Sequence, residues 1–472
     1  VGVVTAALRV VLDQGEALRL ALELDEPHTE LGHARRFAAA FGDRFRYVHA
    51  WRQWLVFDGR RYTPDDSGEA LRCAGELARA LLQQAVRVGD TGERKAALQA
   101  AQRAETARGI AAILTLAAAE PPIAARADDF DADPQLLNCA NGVLDLRTLH
   151  LQPHRPDLLV TKVTRAAYLP DAPAPAFTAF LDRIQPDPSM RAYLARYFGH
   201  ALSGEVREHV LGVFHGTGSN GKSTLVETML AALGDYAITT DPGLLIDRGD
   251  VHPTGVADLF RRRLAVTHET DAGRRLAEGT VKRLTGGDRI KARRMKEDFW
   301  EFEPSHTVVM VTNHRPVVRG DDEGIWRRVR LIPFEVVVSA AEQDPDLRAR
   351  LAAEIDGVLA WAVAGYSDWQ ANGLSEPERV VTATADYRHD SDALGRFLDE
   401  QCLVMAAAHV QSSALFSAWT AWARIEGIEP GSNKALTRAL IDRGHEPPVR
   451  TNRGAMWRGI GLTTDTEQEP TP

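Results

Sequence analysis

The sequence predicts an α/β fold, with a parallel sheet flanked by a mainly helical N-terminal region and a small C-terminal winged-helix domain. Three observations predict it. A short apolar run, Val210 to Phe214, leads into a glycine-rich loop and then into Leu225, Met229 and Leu230 at helical spacing. Two more apolar runs, Arg263 to Glu269 (RLAVTHE) and Thr307 to Thr312 (TVVMVT), read as buried strands ending in polar residues. Near the end, Leu415, Trp419 and Trp422 lie at helical spacing, Lys434 to Arg443 reads as a second helix, and Val449 to Leu462 reads as a hairpin bearing Arg450, Arg453 and Arg458.

The loop after the first run is Gly216-Thr217-Gly218-Ser219-Asn220-Gly221-Lys222-Ser223-Thr224. Its Gly-x-x-x-x-Gly-Lys-Ser spacing, between a strand and a helix, is that of a P-loop. Glycines let the backbone wrap a phosphate with its N–H groups turned inward, where side chains would intrude. The helix that follows turns its positive dipole end toward the same anion. Lys222 is suited to the β- and γ-phosphates as a point charge, and Ser223 to Mg²⁺ through its hydroxyl. ATP and Mg²⁺ are therefore the expected cofactors, and 216–224 the expected nucleotide-binding segment. The alternative, a chance match in an ordinary loop, is disfavoured by the strand–loop–helix order.

Such a site needs a carboxylate at the end of a second strand. Glu269 ends its apolar run and Asp271 lies two residues on, so both project to one face if the strand stays extended. One is expected to polarise the attacking water, with Glu269 favoured, and the other to help hold Mg²⁺; the plain alternative is a pair of solvated carboxylates. Asn313, at the tip of the third run, is suited to orienting the lytic water without adding charge. It can also simply begin the turn before Pro316.

Composition bounds the rest. The chain has 472 residues, long enough for roughly three domains. Cys73, Cys139 and Cys402 lie far apart, which argues against a disulfide framework or a zinc site and for a reducing compartment. No run approaches the roughly 18 apolar residues that span a bilayer, and Val1 to Leu12 lacks the basic start of a signal peptide, so a cytoplasmic protein without membrane contact is expected. The formal net charge of −9 argues weakly against nucleic acid, but local charge decides, since screening confines these fields to roughly 10 Å.

Along the chain, residues 1–128 read as mainly helical with a short β-hairpin. In Phe45 to Tyr62 aromatic and polar residues alternate around a turn glycine, with Trp51 and Trp54 expected to fill a small core rather than stack on bases. Residues 129–200 form a second unit, in which Asn141-Gly142 is the strongest hairpin signal. Residues 201–376 carry the nucleotide site, 377–392 read as a polar linker, 393–462 form the C-terminal domain, and 463–472 are expected to be disordered.

The segments GTGSNGKST (216–224), RLAVTHETD (263–271), KRLTGGDRIKARRMKEDFWEFEP (282–304), VVMVTNHRP (308–316) and GIWRRVRLIPF (324–334) resemble superfamily 3 helicases in order and spacing. They look most like the helicase portion of the phage and plasmid primase family, which is related to poxvirus primase-helicases. The match spans roughly 205–335, with a weaker one over 129–165, including LLNCANGVLDL, which looks like the family's domain ahead of the motor. The resemblance implies an AAA+-like ATPase that forms a hexameric ring, hydrolyses ATP between subunits and moves 3′ to 5′ on single-stranded DNA. It implies that Lys222 and Ser223 hold phosphate and Mg²⁺, Glu269 activates water, Asn313 senses the γ-phosphate, and Arg327 or Arg328 is the arginine finger for the neighbouring subunit. Many members place two carboxylates side by side at the second motif. Here His268 precedes a single Glu269, which puts the metal-side role of Asp271 in doubt.

The most basic short window near these motifs holds Lys282, Arg283, Arg289, Lys291, Arg293, Arg294 and Lys296. After a turn at Gly286-Gly287-Asp288, a strand would set Arg289, Lys291 and Arg293 on one side, with a second strand through Phe299 to Phe302. A basic hairpin suits phosphate contact, which needs charge and little sequence information. In the family that hairpin lines the central pore, which makes Lys282, Lys291, Arg293, Arg294 and Lys296 the expected DNA-binding residues; a solvated basic surface is the alternative. The C-terminal domain suits duplex origin DNA or a protein partner equally.

The expected function is a replicative DNA helicase of a phage, plasmid or integrated element. The alternative is an ATP-dependent DNA-binding regulator or defence protein that does not unwind, and a monomeric P-loop kinase is a weaker third reading. No carboxylate cluster suited to two-metal primer synthesis precedes residue 120. Asp129, Asp131 and Asp133 are closely spaced but lack flanking apolar strands, so no primase activity is expected in this chain, and a separate primase is one candidate partner.

Overall fold

The computed structural model describes residues 14–247, 253–269, 271, 273–293, 299–318, 323–452 and 454–463. Its centre is a five-stranded sheet of β1 (Leu211–His215), β2 (Ala237–Thr240), β3 (Leu264–Glu269), β4 (Thr307–Thr312) and β5 (Val329–Pro333). The spatial order is β5-β1-β4-β3-β2 and every pairing is parallel. All six residues of β4 are buried, as a central strand covered on both faces requires. One face packs on the helices Pro188–Leu202, Lys222–Leu233 and Ile355–Asn372. The other packs on the helix Glu278–Leu284 and on Leu244, Leu245 and Ile246.

Residues 377–392, read as a linker, instead contain the helix Glu378–Ser391. Val380, Ala383 and Tyr387 form its apolar stripe, at spacings of three and four, against the central fold. Thr384 Oγ1 accepts a hydrogen bond from Leu331 N at 3.0 Å, so this helix covers the open edge of β5. Ion pairs from Arg315 to Asp390 and from Arg388 to Glu323 fix its outer face.

Ahead of the sheet lie two smaller units. The first surrounds a four-stranded sheet with the helices Glu30–Phe41, Glu69–Val86, Thr91–Ala104 and Ala107–Ala117. The expected hairpin is a three-stranded meander, Phe45–Val48, Gln53–Phe57 and Tyr62–Pro64. Its glycine, Gly59, sits in the second turn, and Arg52 takes the positive φ of the first. Trp54 packs edge-on against Phe37 and Phe45, and Trp51 meets Phe130 and Phe260, so both rings face protein. The second unit is the antiparallel sheet Leu136–Cys139, Gly142–Asp145 and His150–Gln152. Its first turn centres on Ala140 and Asn141, one residue earlier than the Asn-Gly signal suggests. Gly142 serves a different need: a Cβ there would lie 2.5 Å from the Gln152 carbonyl oxygen. Asp131 accepts from Thr161 and Asp133 pairs with Arg147, so both carboxylates have local structural partners.

The C-terminal residues run helix (Ala393–Gln401), strand (Cys402–Gln411), helix (Ser412–Ile425), helix (Asn433–Asp442) and two strands (Val449–Thr451, Gly454–Leu462). Leu415, Trp419, Trp422 and Trp457 fill their core. Among the described residues no helix is long and apolar enough to cross a membrane. Cys73, Cys139 and Cys402 are buried thiols.

Three buried histidines make stability depend on pH. Burial pulls His33, His200 and His306 down to about 4. The unfolded chain takes up these protons near pH 6.5, while the folded chain excludes them to about pH 4. Stability is then full above pH 6.5 and lost as pH falls through this window, by up to about 1.4 kcal/mol per pH unit for each histidine. Urea midpoints measured from pH 7.5 to 5 are expected to fall steadily below pH 6.5, whereas a level profile would show that these rings are not held neutral.

Candidate functional site

The loop 216–221 leaves the carboxyl end of β1 and feeds directly into the helix Lys222–Leu233. Carboxyl ends of parallel strands are where open α/β sheets bind ligands. Gly218, Ser219 and Gly221 have φ of 117°, 49° and 77°, a run of positive φ that folds the loop back over the helix start. At Gly221 a Cβ would also strike Ile184 Cγ2 at 2.5 Å. Asn220 Nδ2 donates to the Phe334 carbonyl at 3.1 Å, which ties the loop to the end of β5.

Lys222 is 3% exposed. Its Nζ donates to the Gly216 carbonyl at 2.7 Å, to Asn220 Oδ1 at 2.8 Å and to Asn313 Oδ1 at 3.2 Å. All three acceptors are neutral. Desolvation by burial pulls the ammonium down to about 8, so it remains charged at neutral pH, and among the described residues no carboxylate accepts a hydrogen bond from it. A buried cation whose described acceptors are all neutral oxygens suits an anion arriving from outside. Ser223, one residue on, is exposed on the first turn of the helix. Thr217 lines a cavity of about 570 Å³ beside the loop, together with His215, Gly216, Phe334, Arg379 and Asp386. That volume lies within the range of small-ligand pockets. Thr224 is half-buried in the helix.

Register brings a second line of residues to the same end of the sheet. His215, Thr312 and Glu269 lie opposite one another as the last residues of β1, β4 and β3. Asn313 follows Thr312 directly and reaches Lys222. The side chain of Glu269 is outside the described residues, but its backbone ends the strand beside the one that carries Asn313. Asp271 is exposed and pairs with Arg274 at 2.8 Å.

Arg327 and Arg328 are not on a strand. They form the turn between the short helix Glu323–Trp326 and β5. Arg328 Nη1 bonds the Gly324 carbonyl at 2.9 Å, whereas Arg327 is exposed. Leu211 N donates to the Arg328 carbonyl, and Val329 lies opposite Leu211. Both arginines therefore sit at the amino end of the sheet. Loop 216–221 is at the other end, a strand of five residues away, or roughly 16 Å.

The basic hairpin is present between β3 and β4, with Ile290–Ala292 antiparallel to Trp300–Phe302. Ile290 and Ala292 are buried, and Arg289, Lys291 and Arg293 are exposed, as the alternation predicts. Lys282 is apart from these, in the last turn of the helix Glu278–Leu284. Arg294 and Lys296 lie outside the described residues, as does Arg453 of the C-terminal hairpin.

Three features have no clear signal in the sequence. Arg379 and Asp386 line the cavity from a helix that its polar composition conceals, although Val380, Ala383 and Tyr387 are its readable stripe. Asn220 bridges Lys222 and β5. Phe299, beside the hairpin strand, is an exposed aromatic among the cations.

Parts of this chain are similar to known proteins. Residues 34–186 match the family model described as D5 N terminal like, and 214–328 match one described as Family of unknown function (DUF5906). A "putative helicase" of Acanthamoeba polyphaga mimivirus is 27% identical over 58% of this chain and 31% of its own length. A "putative helicase" of Invertebrate iridescent virus 3 is 28% identical over 46% of this chain and 24% of its own. A "putative primase" of African swine fever virus is 26% identical over 43% and 22%. The chain thus spans under a third of the length of these relatives. A solved apo structure of the NrS-1 C terminal region superposes with a TM-score of 0.48 at 10% identity, covering 88% of this chain and 96% of that one.

Proposed function

We propose that this chain, which belongs to the primase-helicase family of phages and large DNA viruses, is an ATP-driven motor that moves on single-stranded DNA during replication of such an element. The observation that carries the reading is the buried Lys222 ammonium, which joins the glycine-rich loop to Asn313 through hydrogen bonds to the Gly216 carbonyl, Asn220 and Asn313. ATP, with Mg²⁺, supplies the phosphoanhydride whose cleavage drives movement. Lys222 and the backbone N–H groups of 216–221 hold its phosphates, and the Ser223 hydroxyl binds the metal. Glu269, at the end of β3, takes the proton of the attacking water, and Asn313 orients that water beside it. Asp271, engaged with Arg274, has at most a secondary part in metal binding. Arg327 completes the site of a neighbouring subunit in a ring of identical chains. Lys291 and Arg293 contact DNA phosphates in the pore. The C-terminal unit, with its exposed helix Asn433–Asp442 and Arg450, docks duplex origin DNA or a partner such as a separate primase.

The test is strand displacement on a forked DNA with ATP, beside ATPase assays with and without single-stranded DNA. DNA-stimulated hydrolysis with displacement is expected. Hydrolysis and DNA binding without displacement would favour a regulator or defence ATPase. In the same assays, Lys291→Glu with Arg293→Glu is expected to weaken single-strand binding and to flatten its log–log salt dependence by roughly 0.7 for each phosphate no longer neutralised. ATPase without DNA should persist, because neither residue is placed at the nucleotide. An unchanged slope would mean that these charges face only solvent.

A further inference from the structure

Phosphate contact leaves one part of the basic hairpin without a purpose. Phe299 directly precedes the strand Trp300–Phe302, whose two aromatic rings pack on each other and on Phe260. Phe299 does not join them, and it is 51% exposed. Its ring lies instead among the cations, with Lys291 Nζ 5.0 Å and Arg293 Cζ 4.8 Å from the ring centre. Each such contact at an exposed site is weak, about 0.5–1 kcal/mol, yet the two together hold the ring in place before any ligand arrives. A ring already held by its neighbours loses little freedom when another flat group settles on it.

The chemistry of this cluster matches an unpaired nucleotide. A single strand presents two surfaces, a chain of phosphates and a row of exposed base faces, and proteins that bind it without sequence preference pair cations with the first and aromatic rings with the second. In a duplex the base faces are hidden in the stack. We propose that Phe299 is a base-stacking residue: its ring receives one unpaired nucleobase of a single strand while Lys291 and Arg293 hold the adjoining phosphates. This rests on the reading of the hairpin as the DNA-contacting part of the motor. It adds that the hairpin distinguishes single strand from duplex by a ring as well as by charge.

The experiment uses the full chain with an ATP analogue and measures binding of a labelled oligothymidylate, and of an abasic strand of equal length, over a series of salt concentrations. Phe299→Ala is expected to weaken oligothymidylate binding about tenfold or more, since base–aromatic stacking is of that size. The slope of log affinity against log salt should stay at the wild-type value, because stacking releases no counterions. Phe299→Trp should restore binding and Phe299→Leu should not. On the abasic strand, wild type and Phe299→Ala should bind alike. Wild-type affinity in Phe299→Ala, or a loss that persists on the abasic strand, overturns the stacking role and leaves the motor reading standing. A wild-type chain that binds neither strand overturns both. The melting temperature of Phe299→Ala should match wild type, because the exposed ring contributes little to the core.

Discussion

Replacing Lys222 with alanine is expected to reduce ATP hydrolysis at least a hundredfold and to weaken nucleotide binding sharply. The charge it removes is buried and sits where the loop, β1 and β4 converge. Loss of one donor to a developing anion costs about 10²- to 10³-fold in rate elsewhere, and a full charge at the transferred phosphate counts for no less. Glu269→Gln is expected to differ in kind. It keeps the volume and removes the base, so ATP should bind and persist. The pair separates holding from hydrolysis: a nucleotide-binding assay should register loss in the first variant and retention in the second, with both folded by thermal melt. Normal turnover in Lys222→Ala would remove the basis of the motor. Normal turnover in Glu269→Gln would move the base elsewhere, with Asp271 the first candidate.

What is legible in the sequence is local. Strand β1, the loop and the helix after it are contiguous, so Gly216 to Thr224 announce themselves by spacing alone. The hairpin cations are legible for the same reason, since period-two alternation places Arg289, Lys291 and Arg293 opposite Ile290 and Ala292. Pairing between distant strands is not legible. Nothing in β1 states that it lies between β4 and β5, yet that order is what carries Asn313 to Lys222. The strand Cys402–Gln411 gives no signal because most of its residues are exposed, so it shows no buried alternation. The helix Glu378–Ser391 is hidden by charge, because its apolar stripe is only one residue wide. Phe299 is obscured because phosphate contacts are sought by counting charges, and in the sequence its ring is one of three, with Trp300 and Phe302, in a run that reads as strand.

Arg327→Ala should leave the chain folded and nearly inactive, with activity returning when it is mixed with Lys222→Ala. The geometry requires any action of Arg327 on ATP to be on a neighbour's. It sits at the amino end of β5, while the loop of its own chain follows the carboxyl end of β1, roughly 16 Å away along a parallel pair and beyond the reach of an arginine side chain. Arg328 is the poorer candidate, because its guanidinium bonds the Gly324 carbonyl within its own turn. A guanidinium that stabilises charge on the transferred phosphate is worth about 10³- to 10⁵-fold in rate. Each variant alone should therefore lose most turnover, one through its loop and the other through its finger. In mixed rings an Arg327→Ala chain supplies a sound loop and a Lys222→Ala neighbour a sound finger. With random exchange at equal amounts, roughly a quarter of interfaces unite the two, which sets the expected recovery near that fraction of wild-type ATPase. Arg328→Ala should instead lower the melting temperature, because it removes the local bond to Gly324, and should gain nothing specific from mixing. Mixtures shown to exchange subunits yet to stay inactive would count against a shared site. They would also leave Arg327 without a nucleotide to act on, since its own lies out of reach.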